Sequence, residues 1–154
     1  MLPLPDPAPR MAPDRAAGVG FDTIVNVHTW LWVDPARWRT LRRTTSVPGL
    51  AVTVTATPVR TLWDTGEGNV ACGAGTAWAP AALDGETDGF GPASPDCEVR
   101  YRHASTRSGL PGSVTATWHV TWVATDGERG ELPDLTRVTP FTVIVREYSA
   151  VLVE

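Results

Sequence analysis

The chain has no lysine, so all thirteen of its basic residues are arginine. Charge of either sign is sparse, at 19% of residues, and the formal net charge is −4. Nucleic-acid binding relies on a basic surface that neutralises phosphates, so this balance argues against it. No run approaches the roughly 20 apolar residues that a membrane-spanning helix needs. Residues 1–20 also lack the apolar stretch of a signal peptide, so any export signal or anchor is expected upstream of Met1. The three histidines, His28, His103 and His119, are scattered without zinc spacing. Glycine-rich phosphate loops and a nucleophile-elbow serine are missing too. Without a catalytic constellation, the expectation is a protein that is not an enzyme.

Cysteine is also scarce: Cys72 and Cys97 are the only two. Their spacing excludes a redox CxxC. An even pair in a threonine- and tryptophan-rich chain reads as one disulfide and an oxidising compartment, with two separate thiols as the alternative. A bridge would close the irregular stretch 73–96 at its base. Such a closure stabilises by about 3 kcal/mol through chain entropy.

What the chain has is β-pattern and tryptophan, seven of them in 154 residues. Residues 1–20 are a proline-rich arm or linker, and order is expected from Phe21. His28–Asp34 reads as a strand with Trp30 and Trp32 on one face and Leu31 and Val33 on the other, and Asp34-Pro35 as a cap opening one short helical turn anchored by Trp38. Further strands are expected at 40–47, 51–57 and 59–64, with a bend at Pro58. The strongest signal is 113–124, where Val114, Ala116, Trp118, Val120 and Trp122 share one face against Thr115, Thr117, His119 and Thr121. Asp126-Gly127 opens a connection expected to run to Leu135, followed by strands at 137–145 and 149–153. Pro140 marks an edge or a bulge. The expected fold is all-β, an antiparallel sandwich over residues 21–154 with one long disulfide-bounded loop.

Three pieces carry a resemblance. Trp63-Asp-Thr-Gly-Glu-Gly68, Cys97-Glu-Val-Arg-Tyr101 and Pro111-Gly-Ser-Val-Thr-Ala-Thr-Trp118 resemble, in order, the signature turn, the tyrosine strand and the following strand of PKD domains. That family consists of extracellular immunoglobulin-like sandwiches, and the likeness covers about residues 47–124. Thr65 and Glu67 depart from its signature. The segments Thr29–Asp34, Val54–Pro58 and Trp63–Gly68 also resemble small secreted actinobacterial proteins, which implies export and a β-rich fold but no activity. In the turn itself, Trp63 should point into the core and Asp64 should accept backbone amides. Gly66 and Gly68 should supply positive φ.

Other readings of these residues are weaker. Asp64-Thr65-Gly66 spells the aspartic-protease triplet, but Glu67 would disturb a shared-proton dyad, and no bracing apolar-apolar-Gly segment follows. Loop carboxylates Asp84, Glu86, Asp88 and Asp96, with Asp64 and Glu67, offer oxygen ligands for calcium, although no dense Asp-x-Asp pattern supports it. A glycosidase pair finds no specific support either. Trp78, inside the loop, is the tryptophan whose burial is least assured. Together with Asp84, Glu86 and Asp88 it makes up the expected binding residues. The expectation is therefore a secreted or cell-surface binding or scaffold module. Its partner would be a protein or another copy, met through strand edges or the 73–96 loop. A carbohydrate-binding module on exposed aromatics is the alternative.

Overall fold

A computed structural model describes residues 3–14, 20–85 and 88–147. The described chain is all-β apart from two short 3-10 turns, Pro35–Arg37 and Pro80–Asp84. Two sheets form. The smaller contains β1 (Pro9–Ala12), β3 (Thr29–Val33) and β7 (Glu98–Val99), with β3 in the centre. The larger runs in the order β2 (Phe21–Ile24), β9 (Arg129–Arg146), β8 (Leu110–Ala124), β5 (Leu50–Asp64) and β4 (Leu41–Val47). A short strand β6 (Asn69–Cys72) pairs with the far end of β5. All pairings are antiparallel except β2 with β9.

The period-two face of β8 organises the core. Trp63, Val114, Val143 and Val145 face Met11, Leu31 and Val33 of the small sheet, all nearly or fully buried. A second cluster of Ala56, Trp118 and Val120 continues along the same face, sealed by Leu4 from the N-terminal arm. Asp34 caps its 3-10 turn through Ala36 N–H at 2.9 Å, and Trp38 packs against the main core, as the sequence predicts.

Four expectations change. The chain is ordered before Phe21: Pro9–Ala12 is an edge strand paired with β3, and the Met11 side chain is buried. The segments on either side of Pro58 are one strand, because the proline falls at a register shift in β5 rather than at a break. The connection expected to run to Leu135 is only a tight turn. Gly127, at φ 93°, closes it by donating to Ala124 O, and β9 begins at Arg129. Its glycine and proline obscure the pattern there, but Gly130 lies under the Trp122 indole, which restores the missing packing. Finally, Gly68 is not among the glycines of positive φ, whereas Gly66 is, at 92°. The strand expected at 149–153 lies outside the described residues.

Strand length decides the shape. At about 3.3 Å per residue, β5, β8 and β9 each run roughly 50 Å or more, whereas β3 runs roughly 17 Å. The small sheet therefore covers only the end of the large sheet that holds Trp63, Val114 and Val143. The other end, built from β4, β5, β8 and the first half of β9, lies beyond the small sheet; Ala56, Val120 and Ala124 stay buried there, but Leu132 is 45% exposed.

Candidate functional site

Two regions gather the residues that chemistry or binding would use. The first is the loop closed by the Cys72–Cys97 disulfide, which forms as expected with 25 residues of separation. Gly75 tucks the loop against β3, where a Cβ would meet Leu31 O at 2.3 Å. Trp30 Nε1 donates to Pro92 O at 2.8 Å, and His28 N donates to Phe90 O at 3.0 Å. The His28 ring is held between two carboxylates, with Nδ1 2.6 Å from Glu98 and Nε2 2.9 Å from Asp88. The hydrogen bond to Glu98, helped by Asp88, raises the His28 pKa against the opposing effect of burial. Its own hydrogen bond to His28, with that of the Phe90 amide, lowers the pKa of Asp88. Arg100 completes the clasp, 3.5 Å from Asp88 and stacked 5.0 Å above the Phe90 ring.

Beside this clasp lies an apolar cleft of about 470 Å³ between the N-terminal arm and the loop. Met11, Val27, His28, Trp78, Leu83 and Phe90 line it. The expected binding residues are thus divided. Trp78 lines the cleft half-buried rather than standing on a flat platform. Asp84 ends the second 3-10 turn and is exposed. Asp88 is committed to His28 and Arg100, and Glu86 lies outside the described residues. Among the described residues no group of three or more metal-ligating side chains converges. The His28 clasp escapes sequence reading because its partners lie 60 and 70 residues downstream. Its only local trace is a histidine at the start of an apolar strand.

The signature turn behaves as a structural joint. Asp64 Oδ1 accepts Gly66 N–H at 3.0 Å, the expected Asx turn, and Trp63 is fully buried. Buried Tyr101 donates its hydroxyl to Thr65 O at 2.9 Å. Burial first, and then the charges of Glu67 and Asp64, push the tyrosine pKa far up, so this hydroxyl stays a donor. Glu67 accepts the backbone amides of Arg102 and His103 at 2.8 and 3.0 Å. The turn is thereby fastened to the chain that returns from the loop.

The second region is the open end of the large sheet. A groove of about 480 Å³ runs along its inner face, lined by Val54, Val120, Leu132, Pro133 and Leu135, with Arg43 and Thr45 at one side. Leu132 is 45% exposed although it shares its register row with buried Val120 and Ala56. On the opposite face His119 sits between Asp134 at 3.1 Å and Glu131 at 3.6 Å, in the open. Comparison with known proteins gives no match to a family model, to a curated protein or to a solved structure.

Proposed function

We propose that this chain is a non-catalytic binding and assembly module working outside the cytoplasm, an immunoglobulin-like sandwich of the PKD kind that meets protein partners through its open sheet. The observation that carries this reading is the open end of the large sheet, where an apolar groove lies on a four-stranded surface whose outer edges, β4 and the start of β9, have no strand beside them among the described residues. Exposed apolar surface with free strand edges is what strand-adding and face-docking modules offer a partner. The tie between Tyr101 and the Asp64 turn supports the PKD comparison. The disulfide supports an oxidising compartment. Asp64 is exposed in its turn rather than buried opposite a second carboxylate, which favours binding over aspartic-protease chemistry.

Carbohydrate binding is the second reading, favoured by one observation: Trp78, Phe90 and Leu83 meet in the arm–loop cleft. Binding of the intact chain to separated cell-surface protein and polysaccharide fractions tests both. Leu132→Asp in the groove should weaken binding to protein by about tenfold or more, as loss of an interface anchor does, and Trp78→Ala should leave it unchanged. Binding to polysaccharide that Trp78→Ala abolishes and Leu132→Asp spares would replace the first reading with the second.

A further inference from the structure

Register rows cross the open half of the large sheet from edge to edge. One row reads Arg42, Thr55, Thr121, Glu131 from β4 to β9. The next row, on the inner face, reads Leu41, Ala56, Val120, Leu132. A basic residue therefore stands at one edge and an acidic residue at the other, in the same row and on the same face. The surroundings repeat this polarity. Residues 35–63 contain Arg37, Arg39, Arg42, Arg43 and Arg60 and no acidic residue, whereas Asp126, Glu128, Glu131 and Asp134 flank a single arginine in 126–134. Arg42 is exposed and makes no ion pair among the described residues, and the Glu131 side chain is 72% exposed.

We infer that a second copy of this chain continues the sheet, with Arg129–Leu132 of its β9 laid against Leu41–Thr44 of the first copy's β4. The inference rests on the assembly role proposed above and names its partner. Successive neighbours from β9 to β4 are antiparallel, so β4 and β9 run in opposite directions. A copy shifted sideways across the sheet therefore brings β9 antiparallel to β4 without inversion, and each row continues into the next molecule. Arg42 then faces the second copy's Glu131, and Leu41 faces its Leu132, at the roughly 5 Å separation of directly opposed residues. Charged edge strands ordinarily prevent sheet-to-sheet addition. Here the guard is selective: two β4 edges would oppose arginines, whereas Arg42 of one copy and Glu131 of the next attract. Pro133, which has no N–H to donate, ends the joint after four rows. Because it joins unlike surfaces, the contact builds open chains or rings rather than a closed isologous pair.

Sedimentation of the intact, disulfide-bonded chain over a range of concentrations tests the joint. The wild type should grow in mass with concentration and dissociate as salt screens the charges. Arg42→Glu and Glu131→Arg, each at an exposed position and checked for an unchanged circular-dichroism spectrum, should each raise the dissociation constant by about tenfold or more, since like charges would oppose one another. An equimolar mixture of the two variants should recover association, because each presents the edge that complements the other. Association that neither variant weakens, or variants that stay apart when mixed, would overturn the inference. A wild type that remains monomeric at every concentration would also overturn it. Binding of another surface protein, lost in Leu132→Asp, would in that case show that the assembly role itself survives.

Discussion

The two ends of the large sheet share one pattern and meet different fates. Along β8 the same face carries Val114, Ala116, Trp118 and Val120, all at most 2% exposed, and then half-buried Trp122. On β9 that face carries fully buried Val143 near one end and Leu132, 45% exposed, near the other. Alternation thus marks which residues point inward, but not how far along the strand a second layer reaches. Here the described second layer is a short three-stranded sheet and an arm, whose Leu4 packs against Ala56, Trp118 and Val120. The covered end stores stability and the open end presents surface.

Truncation should separate the two ends most strongly. Trp63→Ala empties a fully buried site against Phe141, and should cost about 3–5 kcal/mol in denaturant unfolding. Trp122→Ala removes a half-buried indole whose main support is Gly130, and should cost clearly less, about 1 kcal/mol. Equal losses would mean that the open end is covered in solution, which would itself point to the self-association inferred above. The next largest effect belongs to the loop. Replacing Cys72 and Cys97 by serine should lower stability by about 2–4 kcal/mol. Protease should then cut within 73–96, while amide exchange in β4 and the first half of β9 stays as it was. Faster exchange at the open end would mean that the two ends share one cooperative unit.

Much of this division was legible in the sequence, and the missing part has a physical reason. The Asx turn at Asp64, the cap at Asp34 and the inward face of β8 depend on neighbours close in sequence or on a pattern that repeats locally. The disulfide, although it spans 25 residues, follows from there being only two cysteines to pair. Pro9–Ala12 was hidden because its pairing with β3 is a long-range contact that proline-rich composition does not announce. Residues 129–135 were hidden because Gly130 and Pro133 read as loop, although aromatic cover and an edge position make both tolerable in a strand. Of the residues expected to bind, Trp78 lines the arm–loop cleft. Asp88, expected to face a ligand, serves the His28 clasp instead.

That clasp gives a third, smaller contrast, because both ends hold a histidine between two carboxylates. His28 is mostly covered, with 12% of its side chain exposed, whereas His119 is 41% exposed. For His28 the folded pKa is raised above 6.5, so its contribution is complete below that value and is lost as pH rises through the folded pKa. For Asp88 the folded pKa is depressed below 3.8, so its contribution holds above that value and is lost as pH falls through the folded pKa. The loop should therefore be tightest from about pH 4 to about pH 6.5. Limited proteolysis of 73–96 should quicken as pH rises from about 6.5 through the raised pKa of His28, and His28→Gln should remove that dependence. Hydrogen bonding to Asp134 raises the pKa of His119 in the same direction, but solvent screens that pair. His119→Gln should accordingly leave the pH profile of the loop unchanged.

The smallest effect is the most telling about the open end. Leu132→Asp places a carboxylate on the inner face of a long central sheet, a change that would cost several kcal/mol anywhere along Val114–Val120, where the face is sealed. At Leu132 the side chain already meets solvent along the groove, so the isolated chain should change stability by no more than about 0.5 kcal/mol. Thermal unfolding at low protein concentration measures this directly. A large loss would show that Leu132 is core and that the groove closes in solution. A near-zero loss would leave a leucine that folding does not require, on a strand that could have carried a polar residue at no cost. That combination is expected where an apolar side chain is kept for a contact outside its own chain.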